Sequence, residues 1–121
     1  MTKLAMKGPF EFTAEDIDKV VDKKSIGNYI LGYAKNKIFF PKYVGRSDKD
    51  LNQELKDKLD SKYDKFEYCY ALSLRDSFEG ECDNYHNFLE TGLLDNENHP
   101  DRPNSTDLKC PRCDNFDKNK K

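Results

Sequence analysis

The 121-residue sequence has no tryptophan, only 5 prolines and 6 glycines, and no long run of apolar residues. Crossing a bilayer requires roughly 20 consecutive apolar residues, and a signal peptide requires a shorter apolar stretch near the start. Because neither is present, the sequence predicts an intracellular, cytoplasmic protein with no membrane partner. A chain of this length forms one domain at most.

The sequence also lacks an excess of positive charge. Lys and Arg total 21 against 23 Asp and Glu, which gives a net charge of −2. No global positive field steers nucleic acid to the surface, so any such binding must depend on a local site. Hydrophobic and charged residues each make up 36% of the chain, and the thin core predicted from this balance needs a further source of stability.

Hydrophobic periodicity predicts an α+β fold with a small three-stranded sheet flanked by helices. Alternating apolar residues predict strands over 25–33, 38–45 and 66–72. The N-cap Thr13, apolar spacing and the stop signal Thr91-Gly92 predict helices over 13–24, over 48–65 and from Ser73 or Arg75 to Glu90. The middle helix has only the narrow stripe of Leu51, Leu55 and Leu59, so it is predicted to be exposed and amphipathic. The first two strands are expected to form an antiparallel hairpin.

We expect residues 1–117 to form this single domain. Its core would cover about 26–96, followed by a C-terminal segment of about 97–116 and a flexible tail at 118–121. The segment is rich in Asn, Asp and Pro and has few apolar residues, so it cannot build a core of its own. Another interaction must therefore hold it against the rest of the domain.

Cysteine and histidine residues predict that interaction. Cys110 and Cys113 form a C-x2-C knuckle, which supplies two thiolates and therefore half of a tetrahedral site. Cys82 and His86 are four residues apart on the last predicted helix and lie on one side of it. Cys82, His86, Cys110 and Cys113 together predict a structural zinc that pins the C-terminal segment to this helix. His99 is the alternative fourth ligand, and the simpler alternative is that these are ordinary helix and turn residues.

Two short motifs and the order of the elements resemble the GIY-YIG endonuclease superfamily. Gly27-Asn28-Tyr29 lies on the first predicted strand and Tyr43-Val44-Gly45 on the second, followed by a helix, a strand and a helix that bears a glutamate. Small members of the superfamily also have Y-V-G-R-S-D, E-C-x-x-Y-H, H-P and C-P-x-C segments, matched here by 43–48, 81–86, 99–100 and 110–113. The resemblance covers about residues 26–96, and these additional segments agree with a zinc site.

The resemblance implies a metal-dependent endonuclease that cleaves DNA. Tyr29 and Tyr43 match the two tyrosines that position or deprotonate the attacking water. Glu81 matches the glutamate that binds one Mg²⁺ or Mn²⁺ ion, and Asn96 matches a late asparagine that closes the site. Such an ion polarises the scissile phosphate and stabilises the leaving alkoxide. Without the resemblance, tyrosines on strands are ordinary packing residues.

One position departs from the superfamily pattern. Its members have an arginine about one turn into the helix after the hairpin, where this chain has Gln53 and Glu54. A carboxylate there repels phosphate and removes a donor worth about 10²- to 10³-fold in rate, with Arg46 or Lys56 as partial substitutes. The sequence thus permits a weak or degenerate endonuclease, or a catalytically silent, zinc-stabilised module that binds nucleic acid or protein. A third interpretation is a small zinc-stabilised domain whose hairpin match is accidental.

Overall fold

The computed structural model describes residues 6–59, 62–92, 94–103 and 106–113. Its elements are β1 (Lys7–Glu11), α1 (Ala14–Val20), β2 (Gly27–Lys35), β3 (Ile38–Ser47), α2 (Leu51–Asp57), β4 (Lys65–Tyr70) and α3 (Leu74–Leu89). The predicted α+β class is confirmed, and each predicted helix is present. The end of the predicted domain at 114–117 and the predicted tail at 118–121 lie outside the described residues.

The sheet has four strands, so the prediction of three was wrong. Its order is β1-β4-β2-β3, and each neighbouring pair is antiparallel. The missed strand, β1, contains Gly8 and Pro9 and exposes most of its side chains. Glycine and proline are rare inside strands but tolerated at a sheet edge, so the composition of β1 gives no strand signal although its edge position permits one.

Strands β2 and β3 form the predicted hairpin and place the two motif tyrosines on adjacent strands. The register pairs Tyr29 with Gly45 and Leu31 with Tyr43, so both tyrosines project from the same face of the sheet. A Cβ atom on Gly45 would lie 2.4 Å from the Tyr29 ring. Glycine at this position therefore allows the Tyr29 ring to lie across the edge strand β3.

Helices α1 and α2 cover the face with the tyrosines, and α3 covers the other face. On the first face Ile17, Leu51 and Leu55, each 0% exposed, pack with Tyr29 and its neighbours on the sheet. The helix predicted over 48–65 is therefore shorter than expected, since α2 covers Leu51–Asp57. It is also less exposed than expected, because Leu51 and Leu55 are buried against the sheet. Its narrow stripe of leucines is the surface that contacts the sheet, while the polar remainder faces water.

Helix α3 is the longest helix, with 16 residues, and it presents buried side chains to the sheet. It begins after Ser73, whose Oγ accepts a hydrogen bond from the N–H of Asp76 at 3.0 Å. Past its end, Gly92 adopts a positive φ of 73°, as the predicted stop requires. No helix in the described ranges is both long enough and apolar enough to cross a membrane.

Candidate active site and metal centre

Tyr29 and Tyr43 lie side by side where α2 meets the hairpin. Their ring centroids are 6.3 Å apart at an interplanar angle of 30°, and Tyr63 stacks on Tyr43 at 6.4 Å. Tyr29 is buried, and its hydroxyl donates a hydrogen bond to Oε2 of Glu54 at 2.9 Å. Tyr43 is half-buried, and its hydroxyl has no hydrogen-bond partner among the described residues. Tyr43 therefore has the phenol that is available to a ligand.

The environment of Tyr29 fixes its protonation state. Burial raises the pKa of Tyr29 well above the ordinary value, and the charges of Glu54, Tyr43 and, more weakly, Glu81 raise it further. This phenol stays protonated and acts as a hydrogen-bond donor. It cannot serve as a base, which leaves the half-buried hydroxyl of Tyr43 as the group of the pair that can orient a water. The contribution of Glu81 also means that its carboxylate acts electrostatically on the tyrosine site.

Glu81 on α3 and Arg46 on β3 form a charged cluster, and the Glu81 carboxylate acts electrostatically on Tyr29. Nη1 of Arg46 lies 2.7 Å from Oε1 of Glu81 and also donates to the carbonyl oxygen of Asp101. Nε and Nη2 of Arg46 donate to Asp48 at 2.8 and 3.2 Å. Burial raises the pKa of Glu81 to about 7 against the opposing charge of Arg46, while the charges of Asp48 and Glu54 act with burial. Glu81 therefore exchanges its proton near neutral pH.

Glu54, at the position where the superfamily pattern has arginine, reaches the tyrosine site. Its carboxylate accepts the hydrogen bond from Tyr29 and is one of the charges that raise the pKa of Glu81. Gln53 instead donates to Oδ1 of Asp57 along α2 at 2.9 Å. The structure thus distinguishes the two candidates for the arginine position, because only Glu54 contacts a predicted site residue.

The two predicted substitutes for the missing arginine differ in position. Arg46 lies beside Glu81, and both Asp48 and Glu81 bind its guanidinium. Nζ of Lys56 instead lies 2.6 Å from Asp18 on α1. A third cation, which the sequence did not single out, is the Nζ of Lys58, 5.7 Å from the centroid of the Tyr43 ring.

Asn96 lies against the outer side of β3. Its Oδ1 accepts a hydrogen bond from the N–H of Val44, and its Nδ2 donates to the carbonyl oxygen of Val44, both at 2.9 Å. Val44 directly follows Tyr43 in the chain. The structure therefore brings Asn96 to the site as a support for the strand that carries Tyr43.

His86, His99, Cys110 and Cys113 form a compact group on the other side of the domain. One potential ligand atom from each lies within 4.8 Å of those from the other three. Nε2 of His99 is 3.4 Å both from Nε2 of His86 and from Sγ of Cys113. Tetrahedral zinc, with bonds of about 2.0–2.3 Å, separates its ligand atoms by about 3.3–3.8 Å. The group therefore has the spacing and the chemistry to bind a metal ion such as zinc.

The hydrogen bonds around this group favour metal-binding protonation states. Nδ1 of His99 lies 2.8 Å from the carbonyl oxygen of Pro100, so a proton on Nδ1 leaves the Nε2 lone pair available. Burial and the charges of His99 and Arg112 lower the pKa of His86, which favours its neutral form. The N–H of Arg112 donates to Sγ of Cys110 at 3.3 Å, a contact that stabilises a thiolate.

Cys82 lies outside this group, and His99 occupies the remaining position. Cys82 is fully buried and packs with Phe78 and Cys110. Burial raises the pKa of the Cys82 thiol, and a hydrogen bond to Cys110 raises it further. Cys82 is thus a protonated thiol behind Cys110. The i,i+4 spacing with His86 puts the two side chains on one side of α3, but it does not show which of them lies deeper.

Two residues of the tyrosine site had not been predicted. Asp48 binds Arg46 from the bend that follows β3, and the signal available in the sequence was an acid two residues after Arg46. Tyr63 stacks on Tyr43 from the loop before β4. No sequence signal indicates that contact, since it depends on how the loop folds back.

No family model, no curated protein and no solved structure matches this chain. The resemblance to the GIY-YIG endonucleases therefore rests on the motifs in the sequence. The tyrosine and glutamate roles that the resemblance implies are therefore proposals. The metal-binding capacity of the His86 group stands on its own ligand geometry.

Proposed function

We propose that this chain is a metal-dependent endonuclease-like domain that cleaves DNA phosphodiesters, with low activity because Glu54 occupies the arginine position. The observation that carries the proposal is the position of Glu81, which pairs with Arg46 and whose charge raises the pKa of Tyr29, the ring that stacks on Tyr43. These residues offer a Tyr43 hydroxyl with no hydrogen-bond partner among the described residues, a Glu81 carboxylate that is 8% exposed and the Arg46 guanidinium. These are the groups that phosphodiester hydrolysis requires for water, metal and phosphate.

Each of these residues has a role that follows from its chemistry. The Tyr43 hydroxyl orients the attacking water, and Arg46 provides positive charge for a phosphate oxygen. Glu81 would hold a Mg²⁺ or Mn²⁺ ion through Oε2, for which no hydrogen bond is found within the described residues. The bound ion supplies Lewis acidity at the phosphate. Tyr29 remains protonated and fixes the position of Glu54 through their hydrogen bond.

We also propose that His86, His99, Cys110 and Cys113 bind a structural zinc ion. Two imidazoles and two thiolates form a closed set that leaves no position for substrate, as in structural sites. The ion would attach the polar C-terminal segment to α3. Asp101 in that segment accepts a hydrogen bond from Arg46, so the proposed zinc also supports the surroundings of the proposed active site.

A catalytically silent module that binds nucleic acid or protein is the second candidate. Two contacts favour it: the Glu54 carboxylate is held in the tyrosine site by Tyr29, and Asp48 and Glu81 both neutralise Arg46. A phosphate approaching without a metal ion therefore meets three acids and one engaged cation. Such a site retains its architecture without accelerating hydrolysis.

Plasmid nicking by the zinc-loaded protein separates the two candidates. With Mg²⁺ or Mn²⁺ present, we expect slow nicking that falls at least about tenfold in Tyr43→Phe and in Glu81→Gln. Tyr70→Phe is the matched control, because it removes the same atom from a buried hydroxyl that lacks a hydrogen-bond partner. Binding of DNA without metal-dependent nicking by the unaltered protein would contradict the enzyme and favour the silent module.

A further inference from the structure

The β2–β3 hairpin extends beyond the rest of the sheet as a two-stranded arm, which we define as residues 33–42. Pairing of β2 with β4 ends at Gly32 and Lys65. Strands β2 and β3 remain paired as far as Lys35 and Ile38. The arm therefore projects by about 10 Å, which is three residues of strand, and no third strand among the described residues pairs with this part of β2.

The arm is basic in a chain whose net charge is negative. Residues 33–42 include Lys35, Lys37 and Lys42 and contain no Asp or Glu. Lys42 lies 3.9 Å from Asp95 at the base of the arm. Lys35 and Lys37 are exposed and make no ion pair with any residue that the structure describes. The arm thus provides the local positive charge that the whole chain lacks.

The lysine at the tip occupies a conformation that favours glycine. Asn36 and Lys37 form the turn, with φ of 56° and 67°. Two-residue hairpin turns with positive φ at both positions normally have Asn followed by Gly. Lysine in the left-handed region is less favourable than glycine, because its Cβ atom crowds the backbone there. The sequence therefore has a cation at a position where the backbone alone would favour glycine.

Apolar side chains lie next to these cations on one face of the arm. The ring centroids of Tyr33 and Phe40 are 5.9 Å apart, and Tyr33 is 41% exposed and Ile38 58% exposed. Strand alternation places Tyr33 on the same face as Tyr29, so this surface continues from the tyrosine site. Single-stranded nucleic acid binds to aromatic rings that stack on its bases and to cations that pair with its phosphates, and the exposed ring of Tyr33, the half-buried ring of Phe40 and the neighbouring lysines provide both.

We propose that the arm binds single-stranded nucleic acid, with phosphates at Lys35 and Lys37 and an unpaired base against Tyr33 and Phe40. The inference deepens the proposed function, on which it rests, by naming the form of nucleic acid that would lead to Tyr43. Duplex DNA keeps its bases stacked inside the double helix, so they cannot stack on Tyr33 or Phe40. A preference for single strands is therefore the distinguishing consequence.

Fluorescence anisotropy of the zinc-loaded protein with a labelled oligonucleotide of about 12 nucleotides tests this proposal. Mg²⁺ and Mn²⁺ are left out so that binding is measured without cleavage. We expect Lys35→Gln/Lys37→Gly to weaken binding at least about fivefold and to lower the slope of log affinity against log salt by about 1.4, which is 0.7 for each phosphate contact. Lys19→Gln/Lys24→Gln removes two exposed lysines elsewhere and is expected to retain both affinity and slope.

Two single variants separate charge, stacking and folding. Lys37→Gly should weaken binding while raising thermal stability, because it relieves the positive φ. Weaker binding in this variant therefore cannot result from unfolding. Tyr33→Ala should weaken binding about fivefold or more with little change in the salt slope, because it removes stacking and no charge. Full affinity in both single variants would overturn the proposal.

The remaining outcomes are equally decisive. Equal losses in the arm variant and in the Lys19→Gln/Lys24→Gln control would mean non-specific attraction and overturn the proposal, as would tighter binding to a duplex of the same sequence. Arm-dependent binding without any nicking leaves this inference standing while the proposed enzyme fails. Nicking by a protein whose affinity does not depend on the arm would overturn this inference and leave the proposed enzyme standing.

Discussion

The Tyr29 hydroxyl donates a 2.9 Å hydrogen bond to the carboxylate of Glu54. This contact directs a negative charge into the tyrosine site from the helix turn where the superfamily pattern has a positive one. Burial together with this charge keeps Tyr29 protonated. The hydrogen bond therefore keeps Tyr29 from acting as a base. It also places a negative charge where a phosphate would approach the site.

Replacing Glu54 by arginine should increase metal-dependent nicking. The change exchanges repulsion of the phosphate for a charge-assisted donor, and we expect at least about a tenfold rise in the nicking rate. Gln53→Arg is the companion control, since Gln53 bonds to Asp57 along α2, and it should have little effect. If neither variant nicks DNA while both keep fold, zinc and DNA affinity, the missing arginine is not the only defect.

Zinc content should identify the ligands of the metal centre. Elemental analysis is expected to give about one zinc per chain, to be retained in Cys82→Ala and lost in Cys113→Ser and His99→Ala. Cys82 is placed behind Cys110, whereas the other two contribute ligand atoms to the compact group. Loss of zinc from a folded Cys82→Ala variant together with its retention in His99→Ala would restore the ligand set first predicted from the sequence.

Protonation of Glu81 should make stability depend on pH in an unusual direction for a carboxylate. Its pKa rises on folding from the ordinary 4.5 to about 7, so the folded state binds the proton more tightly than the unfolded state. The resulting stabilisation is complete below about pH 4.5 and is lost as pH rises to about 7. We expect urea unfolding of the zinc-loaded proteins to show that, as pH rises over this range, the free energy of unfolding of Glu81→Gln increases relative to that of the unaltered chain by roughly 1–3 kcal/mol. Parallel pH profiles for the two proteins would contradict the raised pKa.

Removing the side chain of Asn96 should destabilise the domain and disturb Tyr43. Asn96→Ala leaves the N–H and carbonyl of Val44 without their partners, at an expected cost of about 1–3 kcal/mol in the free energy of unfolding. Asn98→Ala is the matched control, because Asn98 is exposed in the same segment. Urea unfolding measures both variants, and equal stability of the two would show that the Val44 contacts contribute nothing.

The sequence contained enough local information for most of the fold. Strand alternation predicted the hairpin that sets Tyr29 beside Tyr43, and the cap at Thr13 marked the start of α1. These features depend on neighbours in the chain, so periodicity reveals them. Strand β1 was not predicted because its pairing with β4 is a long-range contact and because Gly8 and Pro9 are unusual in a strand.

The candidate site was less predictable because it depends on how deeply each side chain is buried and on how the loops fold back onto the domain. The spacing of Cys82 and His86 gives the side of the helix but not which side chain is covered by the segment folded over it. His99 enters the metal group only because its loop returns to α3. The orientation of Glu54 toward Tyr29 likewise depends on how α2 packs against the sheet, which a helical stripe does not specify.

The hydrogen bonds from residues 95–96 to β3 affect whether two molecules can associate through this strand. β3 is an edge strand, and an uncovered edge is a template for pairing with another chain. Here the N–H of Asp95 bonds to the carbonyl of Lys42, and the amide of Asn96 takes both backbone groups of Val44. This short segment leads directly to His99, so we expect removal of the metal to expose β3 and to give concentration-dependent light scattering. A metal ion bound by His86, His99, Cys110 and Cys113 would then protect the protein against aggregation.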